Sequence, residues 1–112
     1  MAELRFAYAA RGYDYAGAIE RVAGDEELLH SLLDMFAADE TFLKLMSHDA
    51  LEGFHAAHSL KGSSGMLGMT GLYEAMKLMT EPLRSGDAEK ALQYRAEVER
   101  EYAAAVGMIE CL

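Results

Sequence analysis

The sequence predicts an all-α protein, an antiparallel four-helix bundle with a short additional N-terminal helix, and three observations predict it. Val, Ile and Thr together number 8, against 19 Ala and 15 Leu, a bias toward side chains that lose little entropy in a helix and away from those that fit a pleated sheet. Apolar residues recur at spacings of three and four along successive stretches, the period of an amphipathic helix. Between those stretches fall Asp, Ser, Thr and Gly, the residues that start and stop helices.

The elements follow in order. Asp14 is expected to cap a short helix through about Val22, a lid on the bundle. Gly24-Asp25 ends it, and Asp25 caps the first bundle helix, with a stripe of Leu28, Leu29, Leu32, Leu33, Phe36 and Leu43. Ser47 or Asp49 caps a helix that runs to about Leu67. Gly68 and Gly71 flank Thr70, the expected cap of the next helix, which carries Leu72, Met76, Met79 and Leu83. Pro82 removes one backbone hydrogen bond near the end of that helix. Ser85-Gly86-Asp87 closes it and caps a last helix presenting Ala91, Val98, Tyr102, Ala105 and Ile109. Short connections make neighbours antiparallel, and with no repeat or long linker the chain, 1–112, is expected to be one domain. Met66, Met69, Met76 and Met79 are expected to be adaptable core rather than a cofactor box.

A net charge of -9 and a pI near 4.8 argue against nucleic acid or an anionic membrane as the main partner, since both would repel the chain. A protein partner fits better. The one cysteine, Cys111, permits no internal disulfide and suits a reducing compartment. No apolar run has the length of a membrane span, and the first residues lack a signal-peptide core. A free-standing, cytoplasmic monomer without a cofactor is the expectation.

The informative stretch is His58-Ser59-Leu60-Lys61-Gly62-Ser63-Ser64-Gly65-Met66-Leu67-Gly68. At about 100° per residue, with His58 at zero, Ala56, Leu60 and Leu67 lie close to 180°, beside the small Gly53, Ser63 and Ser64. That is the buried side. His58 points outward, and Leu51, Phe54, His55, Lys61, Gly62 and Gly65 share its face. Each glycine there costs about 1 kcal/mol of helix propensity relative to Ala, so something uses the missing side chains. Leu51 and Phe54 are apolar where solvent is expected, the mark of a contact surface. Lys61, one turn from His58, can place its ammonium beside an anion on the imidazole. An exposed imidazole with a cleared approach, a nearby cation and an apolar rim suits a phosphoryl acceptor, because neutral histidine is nucleophilic near physiological pH.

At these residues the sequence resembles the histidine phosphotransfer (HPt) family of multistep phosphorelays, whose acceptor pattern reads Ala-His-x-Leu-Lys-Gly-Ser/Ala-Ser/Ala. Ala57 through Ser64 reproduces it position for position. The resemblance extends to Leu67-Gly68, to Leu83-Arg84-Ser85-Gly86-Asp87, and back to Gly24-Asp25-Glu26-Glu27-Leu28 with Phe36, covering most of the chain from about Tyr13. It implies that His58 is phosphorylated, that Lys61 steadies the phosphoryl oxygens, that Gly62 admits the partner, and that Arg84 lies near the site. Leu51, Phe54, His55, Gly62 and Gly65 would then form the docking surface. The implied partners are receiver domains of response regulators and hybrid sensor histidine kinases, with the chain a phosphocarrier that has no kinase or ATP-binding element of its own, any metal coming from the partner. Two positions depart from the family pattern: Thr80 stands where some members have a glutamine that hydrogen-bonds near the acceptor, and Pro82 lies in the same helix.

Two rivals come from other classes. Glu27-Leu28-Leu29-His30 and Glu52-Gly53-Phe54-His55 both match the Glu-x-x-His of di-metal carboxylate bundles. Those ligands must point into the core, yet Glu27 and His30 lie opposite the leucine stripe, and His55 lies only about 60° from outward His58. A non-catalytic adaptor bundle would account for the apolar rim but not for His58 and Lys61. His30 and His48 read as ordinary surface residues.

Overall fold

Helix caps divide the chain largely where the sequence places them. The computed structural model describes residues 3–45 and 49–112, and among these all regular structure is helical. α1 spans Leu4–Arg11, α2 Tyr15–Arg21, α3 Glu26–Ala38, α4 Thr41–Lys44, α5 Ala50–Met66, α6 Thr70–Arg84, α7 Ala88–Leu92 and α8 Arg95–Glu110. Asp14, Asp25 and Asp87 each accept a hydrogen bond from the backbone N–H three residues on, at Gly17, Leu28 and Lys90. Asp49 caps α5 by accepting from the N–H of Leu51 and Glu52; Ser47, the other predicted cap, lies outside the described residues, as does His48. Each such cap satisfies a donor that the helix cannot.

The long helices α3, α5, α6 and α8 form the bundle, with α5 packed along α6, α6 against α8, and α8 against α3. Leu29, Leu33, Leu60, Leu67, Leu72, Met76, Met79 and Val98 lie at its centre, all 5% exposed or less. Between α3 and α5 runs a shallow groove lined by Leu32, Met35 and Phe36 on one side and Ser59, Ser63 and Met66 on the other. Met66 is thus 44% exposed and is not core, unlike Met69, Met76 and Met79.

Four expectations are corrected. α1 precedes the predicted short helix, and it packs through Tyr8, whose buried hydroxyl donates to the Leu67 carbonyl at 2.6 Å. Burial pushes the Tyr8 phenol far above its ordinary pKa, so it remains a donor. The stripe from Leu28 to Leu43 is broken at Asp39, whose carboxylate accepts from both the N–H and the hydroxyl of Thr41, at 2.8 and 2.6 Å. These bonds hold its pKa below the ordinary aspartate value. The break turns Leu43 outward, 73% exposed, and stacks Phe42 on Tyr102 instead; Leu28, in the first turn of α3, is also exposed.

The last predicted helix is two, α7 and α8. Tight bonds from Gln93 N–H to Lys90 and from Tyr94 N–H to Ala91 interrupt it, with neither proline nor glycine to signal the break. Met69 occupies the cap position of α6; Thr70 donates its hydroxyl across to the Gly12 carbonyl at 3.0 Å.

The α1–α2 segment closes one end of the bundle. Asp14 N–H donates to the Gly68 carbonyl, and Gly68 has φ +73° with the Asp14 carbonyl 2.4 Å from where a Cβ would stand. Both the conformation and the contact require glycine there. Arg21 donates from Nε to the Met66 carbonyl and from Nη2 to the Gly65 carbonyl, at 2.8 and 3.0 Å. Those carbonyls belong to the last turn of α5, which has no partners within the helix. No described helix is long and apolar enough to cross a membrane.

Candidate functional site

With α5 fixed at Asp49, the helical period sets the direction of each side chain on it. Gly53, Ala56, Ala57, Leu60 and Ser64 are buried and His58 is exposed, as expected. The outward face then divides. Leu51, His55 and Gly62 lie about 20–60° to one side of His58 and all are exposed. Phe54, Lys61 and Gly65 lie about 20–60° to the other side and all are half-buried, because α6 runs along that edge.

Two contacts locate α6 there. The Tyr73 ring covers Gly65, with ring carbons 3.0 and 3.1 Å from where a Cβ would stand. The Arg84 guanidinium lies over the Phe54 ring at 5.8 Å from its centroid, and also pairs with Glu81 at 3.3 Å. A guanidinium at that distance over a ring face is attracted by the ring's quadrupole. Phe54 stacks in turn against His58, with ring centroids 6.2 Å apart and planes inclined by 28°, and lies 5.7 Å from the His55 ring. The imidazole therefore has an aromatic wall on the α6 side and solvent on the other.

The two outward glycines serve different purposes. A Cβ on Gly62 would meet nothing within 4 Å, so no neighbour within the described chain accounts for its missing side chain. The space above Gly65 is taken by Tyr73, from within the chain, which corrects the expectation that this glycine too clears an approach. Tyr73 was not anticipated as a site residue, although its separation of eleven from Arg84 repeats that of Phe54 from Gly65. Arg21 carries no sequence signal at all, since its partners are more than forty residues away. A groove of about 560 Å³ continues from Lys61 and Gly62 past Tyr73 to Arg21.

Thr80 is fully buried and donates its hydroxyl to the Met76 carbonyl of its own helix, at 2.6 Å. It thus spends its donor within α6. Arg84, by contrast, is held on Phe54, the residue next to His58 on the stripe, despite Pro82 two positions before it. His58 itself makes no hydrogen bond or ion pair among the described residues, so its ring presents both nitrogens freely.

The carboxylates of the rival metal reading do not converge. Glu27, Glu52 and His55 are exposed, and His30 lies 3.4 Å from Asp34 on its own helix. Among the described residues no group of three or more His, Cys, Asp or Glu is placed to hold a metal ion. What the arrangement can do is offer an exposed imidazole, with the Phe54 ring against it, Lys61 one turn along the helix and open space over Gly62.

A family model described as the Hpt domain matches residues 25–107. No curated protein and no solved structure matches the chain.

Proposed function

The chain belongs to the Hpt domain family, and from that membership we propose that it carries a phosphoryl group on His58 between aspartates of receiver domains. Hpt domains are phosphocarriers that act with receiver domains in phosphorelays. For this chain the proposed partners are receivers of response regulators and of hybrid sensor histidine kinases, met in the cytoplasm by a monomer.

The observation that carries the reading is the exposed His58 imidazole beside Gly62, whose missing side chain leaves open space. In the forward step a neutral imidazole nitrogen attacks the phosphorus of an aspartyl phosphate. The N–P bond forms, the P–O bond to the aspartate breaks, and the carboxylate leaves with the electron pair. The imidazolium so formed sheds the proton from its other nitrogen, and the reverse step returns the phosphoryl group to an aspartate. Lys61, one turn along α5, lies on the same outward face and stabilises the phosphoryl charge. Leu51, Phe54 and His55 supply the docking rim, and Arg84 supports Phe54.

The test is transfer from labelled phospho-receiver domains. The wild-type chain gains an acid-labile label, His58→Gln gains none, and ATP alone labels neither. Label that persists in His58→Gln at His55 or His30 refutes the assignment.

A further inference from the structure

The contacts that hold α6 on α5 also fix an antiparallel register. Tyr73 lies on Gly65 and Arg84 on Phe54, and eleven residues separate the two members on each helix. Between them, the edge of α5 that faces α6 reads Phe54, His58, Lys61, Gly65, at spacings of four, three and four. The facing edge of α6, which runs the other way, reads Arg84, Thr80, Lys77, Tyr73 at the same spacings. Residues so spaced stay within about 40–60° of one line along a helix. With the outer pairs in contact, Thr80 falls opposite His58, and Lys77 falls opposite Lys61.

Thr80 directs its hydroxyl into its own helix, so the level of His58 receives no donor from α6. The next level carries two lysines. Lys77 is exposed and Lys61 half-buried, and neither makes an ion pair among the described residues. Glu81, one turn from Lys77 and its natural partner on the helix, pairs with Arg84 instead. The register thus brings two lysines without an ion-pair partner to one level, in a chain of net charge -9, and an anion held between them would be favoured by both. Adjacent levels are about 5 Å apart along the axis, within the span of the flexible four-carbon lysine stem.

We propose, resting on the assignment of His58, that Lys77 is a second phosphoryl-contacting residue: its ammonium and that of Lys61 close from two helices on the oxygens of phosphorylated His58. The other charged or titratable groups around these two edges are His55, on the far side of His58 on α5, and Tyr73, Glu81 and Arg84 on α6.

The test needs no partner protein. The chain is phosphorylated with phosphoramidate, and the phosphohistidine resonance is followed by phosphorus NMR as pH is varied. A neighbouring cation favours the dianion, so loss of Lys77 must raise the titration midpoint. Lys77→Ala is expected to raise it by roughly 0.3 pH unit or more at low salt, Lys77→Arg to hold it near the wild-type value, and Lys90→Ala, on α7, to leave it unchanged. Circular dichroism verifies that each variant is folded. An unchanged midpoint in Lys77→Ala, with a normal phosphohistidine at position 58, overturns the role of Lys77 alone. Failure of the wild-type chain to form phosphohistidine at His58 overturns the phosphocarrier reading, and this proposal with it.

Discussion

Gly62 and Gly65 stand less than one turn apart on one helix, and the same residue type answers two different demands. At Gly62 the described chain leaves open space; at Gly65 it fills the space itself with Tyr73. About 60° of rotation separates them, and that angle decides whether α6 covers a residue. The outward face is thus two surfaces that meet at His58: an exposed half of Leu51, His55 and Gly62, and a half-buried one of Phe54, Lys61 and Gly65. Absence of a side chain on a helix does not by itself say whether the fold fills the space or leaves it open.

The strongest way to break this division is at its boundary. His58→Gln should abolish phosphoryl labelling outright while the melting temperature stays within about 1–2 °C of wild type, because an exposed side chain without hydrogen bonds contributes little to stability. A large loss of stability, seen by thermal melting, would place His58 in the fold rather than at its edge.

On the exposed half, Gly62→Gln should reduce the rate of transfer from a phospho-receiver about tenfold or more, a cost of about 1.4 kcal/mol in the barrier. The domain should be no less stable, since glutamine is a better helix former than glycine and its Cβ would meet nothing within 4 Å there. Rapid-quench kinetics and urea melts on the same samples separate the two effects. Full activity would remove the approach path over Gly62; unfolding would mean that the glycine belongs to internal packing.

The stability contrast between the glycines sharpens the division further. Gly62→Ala should stabilise the isolated domain by up to about 1 kcal/mol. Gly65→Ala should fall short of that by about 1 kcal/mol, because its methyl group stands 3.0 Å from a Tyr73 ring carbon and the ring must move. In a Tyr73→Ala background the shortfall should vanish, a coupling that a double-mutant cycle measures directly. Equal effects of alanine at both positions, with no coupling to Tyr73, would erase the distinction.

The smallest effect is expected at Lys61, on the half-buried side. Lys61→Ala should slow transfer a few-fold, with the difference shrinking as salt rises, because a single partly solvated ammonium is screened. Stopped-flow transfer at low and high ionic strength checks it, and identical kinetics at both would leave Lys61 without a part in the chemistry.

The directions of His58, Lys61 and Gly62 could be read from sequence because they lie within five residues on one helix, where a period of 3.6 determines direction. The same holds for the caps at Asp14, Asp25, Asp49 and Asp87, each of which bonds two or three residues on. The break at Asp39 had a local signal as well, in Thr41, but the leucine spacing across it was more conspicuous. Tertiary structure alone decided what lies across a gap. It put Tyr73 on Gly65 and Arg84 over Phe54, turned Thr80 inward, and brought Tyr8 and Arg21 to the end of α5. A helix repeats its own directions from its own sequence, but which neighbour lies on which side, and in what register, is fixed by packing between segments tens of residues apart.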